Sequence, residues 1–309
     1  MNKRVRHIFV IPRDKIGLKK ITAYFKLFRR LLNERYDLLA HFSNDWRGAF
    51  FARLLKVDIT ISRRAPRRGS FWHNSFDYLA EELDHERPMA EQDVDLLRSA
   101  NLYKKAVAPA YELDIKPSQK IKLSRWIKNH DIDSKNRIIV IHASSRWKFK
   151  EIPIATWAKI IDGLKLRRLN VIVSGSNEDL ETNELIFDLC VSKPILANNF
   201  SLEETAALYK LADLVLTIDT MSTHLASAVK TPVVSIFGPT NEKNWGPWKG
   251  KYQVIGLSVQ DADMFACRPC GMEGCEGSKI SQCLVQMDPQ RVIHHALEML
   301  KASKKVSLV

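Results

Sequence analysis

The sequence predicts an α/β protein made of two parallel-sheet domains. Three observations carry this. Residues 211–240, LADLVLTIDTMSTHLASAVKTPVVSIFGPT, read as strand, tight turn, helix, strand. Two series of short apolar strands alternating with helix-period stretches run along the chain and join near residue 115. A length of 309 residues at 45% hydrophobic content suffices for two ordinary cores. The expected division is 1–115 and 116–309.

Taken in order, residues 6–11 (RHIFVI) predict a strand. Across 16–35, Ile21, Phe25, Phe28, Leu31 and Leu32 fall at helical spacing, with a basic opposite face. Residues 37–42 predict a second strand, 44–48 a turn, 49–56 a helix and 57–62 a third strand. A basic loop, RRAPRRGSFWHNSF, follows at 63–76. Residues 77–101 then predict a helix and 110–117 a linker. A helix over 119–129 opens the second series. There, strands are expected at 137–142, 170–174, 214–218, 233–237 and 252–255, with helices at 153–166, 177–190 and 202–210, in the 211–240 unit, and at 289–302. Two such βα series predict Rossmann-like domains facing a cleft.

The 211–240 unit carries the chemistry. Its strand is short and β-branched, which suits burial on both faces of a parallel sheet. Asp219, Thr220, Ser222 and Thr223 follow immediately, and all are helix-starting types. A helix that begins where a parallel strand ends aims free backbone N–H groups at the crevice above the sheet, a ready anion site. Hydroxyls at 220, 222 and 223 would add hydrogen bonds, and His224 lies one turn in. The same pattern also suits an ordinary N-capped helix with a satisfied histidine.

Charge narrows the partners. Residues 1–75 hold 18 Lys and Arg against 5 Asp and Glu, while the remainder holds 30 of each. The whole net charge of +13 therefore sits in the first quarter. This implies an anionic partner on that side: nucleic acid, an acidic membrane face or a phosphorylated substrate. The first 15 residues lack the long apolar region of a secretory signal, and no apolar run is long enough for a membrane span. Of five cysteines, Cys190 falls in an amphipathic stretch. The others cluster as Cys267-x2-Cys270-x4-Cys275-x7-Cys283, for which disulfides are not expected in the absence of an export signal.

Three stretches, IHASSRWKFKEIPIATWAKII (141–161), VIVSGSNEDLE (171–181) and LADLVLTIDTMSTHLASAVKTPVVSIFGPTN (211–241), together resemble the heptosyltransferases of bacterial lipopolysaccharide synthesis, glycosyltransferase family 9. The tail ACRPCGMEGCEGSKISQCL (266–284) is most similar to the heptosyltransferase III branch. The resemblance implies a two-domain GT-B fold and ADP-heptose as donor substrate, with no cofactor. It implies donor contacts from Ser144, Ser145, Arg146, Lys150, Glu178, Asp219, Thr220, Met221 through its backbone, Ser222 and His224. Asp219 and Lys150 are the expected catalytic pair, since a cation stabilises the departing diphosphate and a carboxylate suits the sugar.

The acceptor implied is the lipopolysaccharide inner core, rich in carboxylates and phosphates. Arg47, Arg63, Arg64, Arg67 and Arg68 are expected on loops at strand ends, with Trp46 and Trp72 able to stack on sugar rings. The alternative is a solvated basic face with two core aromatics. The patch also implies peripheral contact with the anionic inner membrane from its cytoplasmic side. Metal is not expected, with a tetrahedral zinc site on Cys267, Cys270, Cys275 and Cys283 as the alternative.

One departure stands out. The family begins with a strand and a Gly-Asp loop whose Asp is the proposed general base. RHIFVI instead resembles the family's third strand, and Asp14 matches a later turn. The N-terminal domain is therefore expected to be incomplete. This keeps open a second reading, a catalytically impaired remnant that binds donor or anionic lipopolysaccharide without turnover. A nucleic-acid binder is not expected, because no nucleic-acid module accompanies the basic loops.

Overall fold

The structure is a computed structural model that describes residues 5–11, 16–103, 113–130, 132–256, 265–303 and 306. Contacts divide the chain into two compact units, Lys3–Ala110 and Tyr111–Val309. Asp14 and residues 110–112 of the expected linker lie outside the described residues.

The first unit runs α1 (Gly17–Asn33), β1 (Leu38–Ala40), α2 (Trp46–Leu54), β2 (Ile59–Arg63), α3 (Ser70–His73), β3 (Tyr78–Ala80) and α4 (Met89–Ser99). Its three strands are parallel, in the order β1-β2-β3. Small apolar clusters cover the sheet, Ala49, Ala65, Trp72 and Phe76 in one and Ile61, Ala80 and Leu96 in the other. The Asp77 carboxylate accepts hydrogen bonds from the Thr60 backbone N–H (2.8 Å) and hydroxyl (2.7 Å), which fastens the entry of β3 to β2.

Several expectations change here. Residues 6–11 join no strand ladder; Ile8 and Val10 are exposed, and the Arg30 guanidinium lies over the Phe9 ring at 5.1 Å. Residues 77–101 are not one helix, because the short apolar run after Asp77 pairs with β2 and the helix starts only after Pro88. The helix expected at 49–56 begins at Trp46, because the Asp45 side chain caps the Arg47 N–H at 3.0 Å. Within α1, Leu27 is buried whereas Ile21, Phe25 and Leu32 are exposed.

The second unit comprises α5 (Pro117–Asn129), β4 (Ile138–His142), α6 (Ile154–Lys165), β5 (Asn170–Ser174), α7 (Leu180–Leu189), β6 (Ile195–Ala197) and α8 (Leu202–Leu211). It continues with β7 (Leu214–Ile218), α9 (Met221–Ala228), β8 (Val233–Ile236), α10 (Glu242–Trp245), β9 (Tyr252–Ile255), α11 (Gln282–Val285) and α12 (Pro289–Lys301). All six strands are parallel, in the order β6-β5-β4-β7-β8-β9. Strand residues alternate between faces. Ile139 and Ile141 join a core with α6 and α12, while Ile138 and Val140 join another with α8 and α9. Each fully buried Ile or Val contributes about 1.5–3 kcal/mol through removal from water. Strand order reverses between β4 and β7, so the loops leaving them diverge and open a crevice at the sheet's C-terminal edge.

Candidate functional site

A cavity of about 830 Å³ occupies that crevice, within the size range of ligand pockets. Its walls come chiefly from the loops after β4, β5 and β7, with Phe200, Leu202 and Thr205 at the start of α8 and Trp245 of α10 completing them, and every lining residue belongs to the second unit.

The loop after β4 supplies Ser144, Ser145, Arg146 and, on a single 3₁₀ turn, Lys148 and Lys150. Glu151 holds this loop in shape: its carboxylate accepts the Ser145 N–H at 2.8 Å and pairs with Lys148 at 3.1 Å. Ser144 is buried, and among the described residues its hydroxyl has no hydrogen-bond partner. Such a group loses the water it had in the unfolded chain and gains from a ligand oxygen.

After β5, Gly175 packs so closely that a Cβ would lie 2.6 Å from Asn183 Nδ2 and 2.8 Å from Asp179 Cβ. Ser176 and Asp179 form a reciprocal capping box, Ser176 N–H donating to Asp179 Oδ2 at 2.7 Å. Glu178 stands exposed on that turn, facing the cavity.

After β7, Thr220 caps α9 by accepting the Ser222 N–H at 3.2 Å. The α9 N-terminus therefore opens onto the cavity with Met221, Ser222 and His224 on its wall. Asp219 is buried, and its Oδ2 lies 2.6 Å from Lys150 Nζ. The contact is an ion pair by distance, yet the ammonium is not aligned to hydrogen-bond that oxygen. An entering anion can therefore compete for Lys150. Burial lowers the His224 pKa, and Lys150 adds to that, against an upward pull from Asp219. His142, beneath the β4 loop, is likewise lowered by burial. Both imidazoles are thus biased toward the neutral form.

The ten expected donor residues come together here: Ser144, Ser145, Arg146, Lys150, Glu178, Asp219, Thr220, Met221, Ser222 and His224 all line the one cavity. A site with cationic side chains, a buried hydroxyl and a helix N-terminus can hold a polyanion and stabilise charge that grows on it.

The sequence profile of glycosyltransferase family 9 (heptosyltransferase) matches residues 24–272. The chain belongs to glycosyltransferase family 9. It is 29% identical over 255 residues to lipopolysaccharide heptosyltransferase 3 of Escherichia coli K12, covering 80% of this chain and 72% of that relative. Among solved structures, a family 9 glycosyl transferase from Veillonella parvula DSM 2008 superposes with a TM-score of 0.73 at 18% identity, over 92% of this chain and 80% of that one. The E. coli ADP-heptose lps heptosyltransferase II gives 0.70 at 20% identity, over 92% and 82%. These likenesses establish the GT-B type of fold for this heptosyltransferase-family chain.

The residues expected on the acceptor side of this family 9 protein lie in the first unit. Arg63 is corrected: it sits at the end of β2, buried, donating to the Glu81 and Gln92 carbonyls (3.2 and 2.5 Å), and so cannot reach an acceptor. Trp72 is fully buried in the core and is no stacking platform. Trp46 and Arg47 stand on the first turn of α2 rather than on a loop, Arg47 pairing with Asp45 at 2.8 Å. Arg64 and Arg67 are exposed, and Arg68 lies over the Trp46 ring at 5.1 Å.

The four cysteines of the zinc alternative lie in the second unit. Among the described residues no three His, Cys, Asp or Glu side chains converge to hold a metal. The thiols are free; Cys267, Cys270 and Cys275 are exposed, and burial raises that of Cys283 to about 11. The segment instead braces the site. Ser281 donates to the Phe149 carbonyl beside Lys150 at 2.6 Å, Gly271 N–H to the Pro239 carbonyl at 2.9 Å, and Arg268 pairs with Glu242 at 3.2 Å.

Sequence reasoning missed Glu151, Phe200, Leu202, Thr205 and Trp245, all in the cavity wall. Glu151 follows the basic KFK turn, a usable signal; Leu202 and Thr205 stand on the first turn of α8 with Phe200 just before it, and Trp245 ends the four-residue α10, too short to show periodicity.

Proposed function

We propose that this heptosyltransferase-family chain moves heptose from ADP-heptose to the inner core of lipopolysaccharide, inverting the anomeric carbon. The observation that carries this is the β4–β7 cavity, where Lys150, the unpartnered Ser144 hydroxyl and the α9 N-terminus converge. In this reading Ser144, Ser145, Arg146, Lys150 and the α9 amides take the diphosphate. Negative charge growing there as the glycosidic bond breaks is met by fixed dipoles and protein cations, not by a resident metal. Asp219 faces the sugar, where a carboxylate favours positive character at the anomeric carbon. Glu178 takes the ribose, and Phe200 with Leu202 offers an apolar wall to the base. Trp46, Arg47, Arg64, Arg67 and Arg68 receive the anionic acceptor.

Peripheral contact with the anionic cytoplasmic face of the inner membrane belongs to the same reading. No helix among the described residues is long and apolar enough to cross a membrane. In support, α1 contains no acidic residue, and its exposed Leu18, Ile21, Phe25 and Leu32 are flanked by Lys19, Lys26, Arg29 and Arg30.

A turnover assay with ADP-heptose and a heptose-deficient inner core tests the proposal. Release of ADP matched by heptosylated core is expected; donor binding without transfer would leave only a non-catalytic binder.

A further inference from the structure

Beneath the cavity floor lies a fully buried phenol. Tyr209 projects from α8, and its hydroxyl donates to Ser222 Oγ at 2.9 Å. The same hydroxyl sits 3.4 Å from Ser174 Oγ, at the end of β5. Ser174 in turn donates to the Ile141 carbonyl of β4 at 3.2 Å. One side-chain chain of hydrogen bonds thus links β4, β5 and α9 beneath the cavity.

Counting protons fixes its direction. Each hydroxyl has one proton to give. That of Ser174 is engaged by the Ile141 carbonyl, so Tyr209 gives its own to the nearer partner, Ser222. Ser222 Oγ is then an acceptor toward the protein. Among the described residues its own proton has no protein acceptor, and Ser222 lines the cavity. Burial also raises the Tyr209 pKa, which keeps the phenol protonated and the direction fixed.

We propose that Tyr209 is a positioning residue for the diphosphate subsite: by occupying the acceptor side of Ser222 Oγ from below, it commits the Ser222 proton to an anion in the cavity. A serine free to rotate would turn its proton onto a carbonyl three or four positions back, here that of Asp219 or Ile218 where β7 ends. With Tyr209 in place, Ser222 is a preorganised donor that needs no reorientation when phosphate arrives. This inference rests on the donor-site reading above.

Calorimetric titration of ADP and of adenosine into wild type, Tyr209→Phe, Ser222→Ala and the double variant tests it. Wild type is expected to bind ADP. Tyr209→Phe should bind ADP roughly five-fold more weakly, the loss of about one hydrogen bond. Adenosine, which lacks phosphate, should bind both alike, and the double variant should be no weaker than Ser222→Ala alone. Equal loss for ADP and adenosine would make Tyr209 a packing residue and overturn the proposal, as would additive losses or an unchanged Tyr209→Phe. Absence of ADP binding by wild type would remove the donor site itself. Should Tyr209→Phe not fold, a wild-type crystal with ADP decides: Ser222 Oγ within hydrogen-bond distance of a phosphate oxygen, with the Tyr209 contact retained, supports the role, and any other Ser222 partner ends it.

Discussion

Lys150 and Asp219 meet at 2.6 Å in a cavity otherwise suited to anions, and the two charges have different work. In the proposed function the cation answers the diphosphate and the carboxylate the sugar. Lys150→Ala should therefore weaken ADP binding roughly ten- to hundred-fold, the range for a charge-assisted hydrogen bond. Asp219→Asn removes the competitor for Lys150 without removing the lysine. Its ADP affinity should hold or tighten while heptose transfer falls, as titration with ADP beside steady-state rates with ADP-heptose would show. Equal loss of both in Asp219→Asn would mean that the carboxylate only supports the fold. Of the expected acceptor residues, Arg63 teaches the opposite lesson. In the sequence it is one of four arginines in RRAPRR, and nothing local distinguishes it; the last register pair of β2 and β3 turns it inward.

The strand-to-helix turns set the site's geometry, and each is held by a particular contact. At the β5 turn the constraint is steric. Gly175→Ala places a Cβ against Asn183 and Asp179, and about 1–3 kcal/mol of destabilisation is expected from such overpacking. Chemical denaturation should show the loss, and ADP affinity should fall with it because Glu178 shares that turn; a neutral variant would mean the turn relaxes freely. The second unit is largely legible because its signals are local: the apolar, β-branched runs at β5, β7 and β9 begin and end where the strands do. Thr220, a helix-starting type in the sequence, does cap α9. What stays hidden depends on distant partners. β6 is three residues long and is a strand only because β5 lies beside it. β3 reads as helical because its YLA run adjoins a polar stretch, and the deciding bonds, from Thr60 to Asp77, cross 17 positions. The expected N-terminal strand fails for the converse reason: an apolar run with no ladder partner among the described residues is not a strand.

For the whole molecule, charge and buried histidines dictate the response to conditions. Burial lowers the pKa of His41, His142, His224 and His295. For His295 the neighbouring Arg291 and His294 add to the lowering. The unfolded chain therefore takes up protons that the folded chain refuses, and stability is lost as pH falls below about 6.5 toward the lowered values. Asp45 acts in a different window. Its pKa is held down to about 2, chiefly by the Arg47 hydrogen bond, so its contribution is present above the usual carboxylate range and is lost only as pH falls toward 2. Melting temperature should thus decline between about pH 7 and 5, with net proton uptake on unfolding; a flat profile would contradict the histidine assignment. The basic first quarter makes a separate prediction. Co-sedimentation with vesicles containing phosphatidylglycerol should exceed that with neutral phosphatidylcholine vesicles and weaken as salt shortens the screening length. Phe25→Glu, on the exposed stripe of α1, should reduce it further, and binding indifferent to lipid charge would argue against a membrane-facing surface.

The most direct test of the whole account is a crystal structure with ADP bound. The diphosphate is expected among Ser144, Ser145, Lys150 and the first amides of α9, with the Lys150–Asp219 contact lengthened. A nucleotide seated elsewhere, or a cavity that stays empty at saturating ADP, would contradict it.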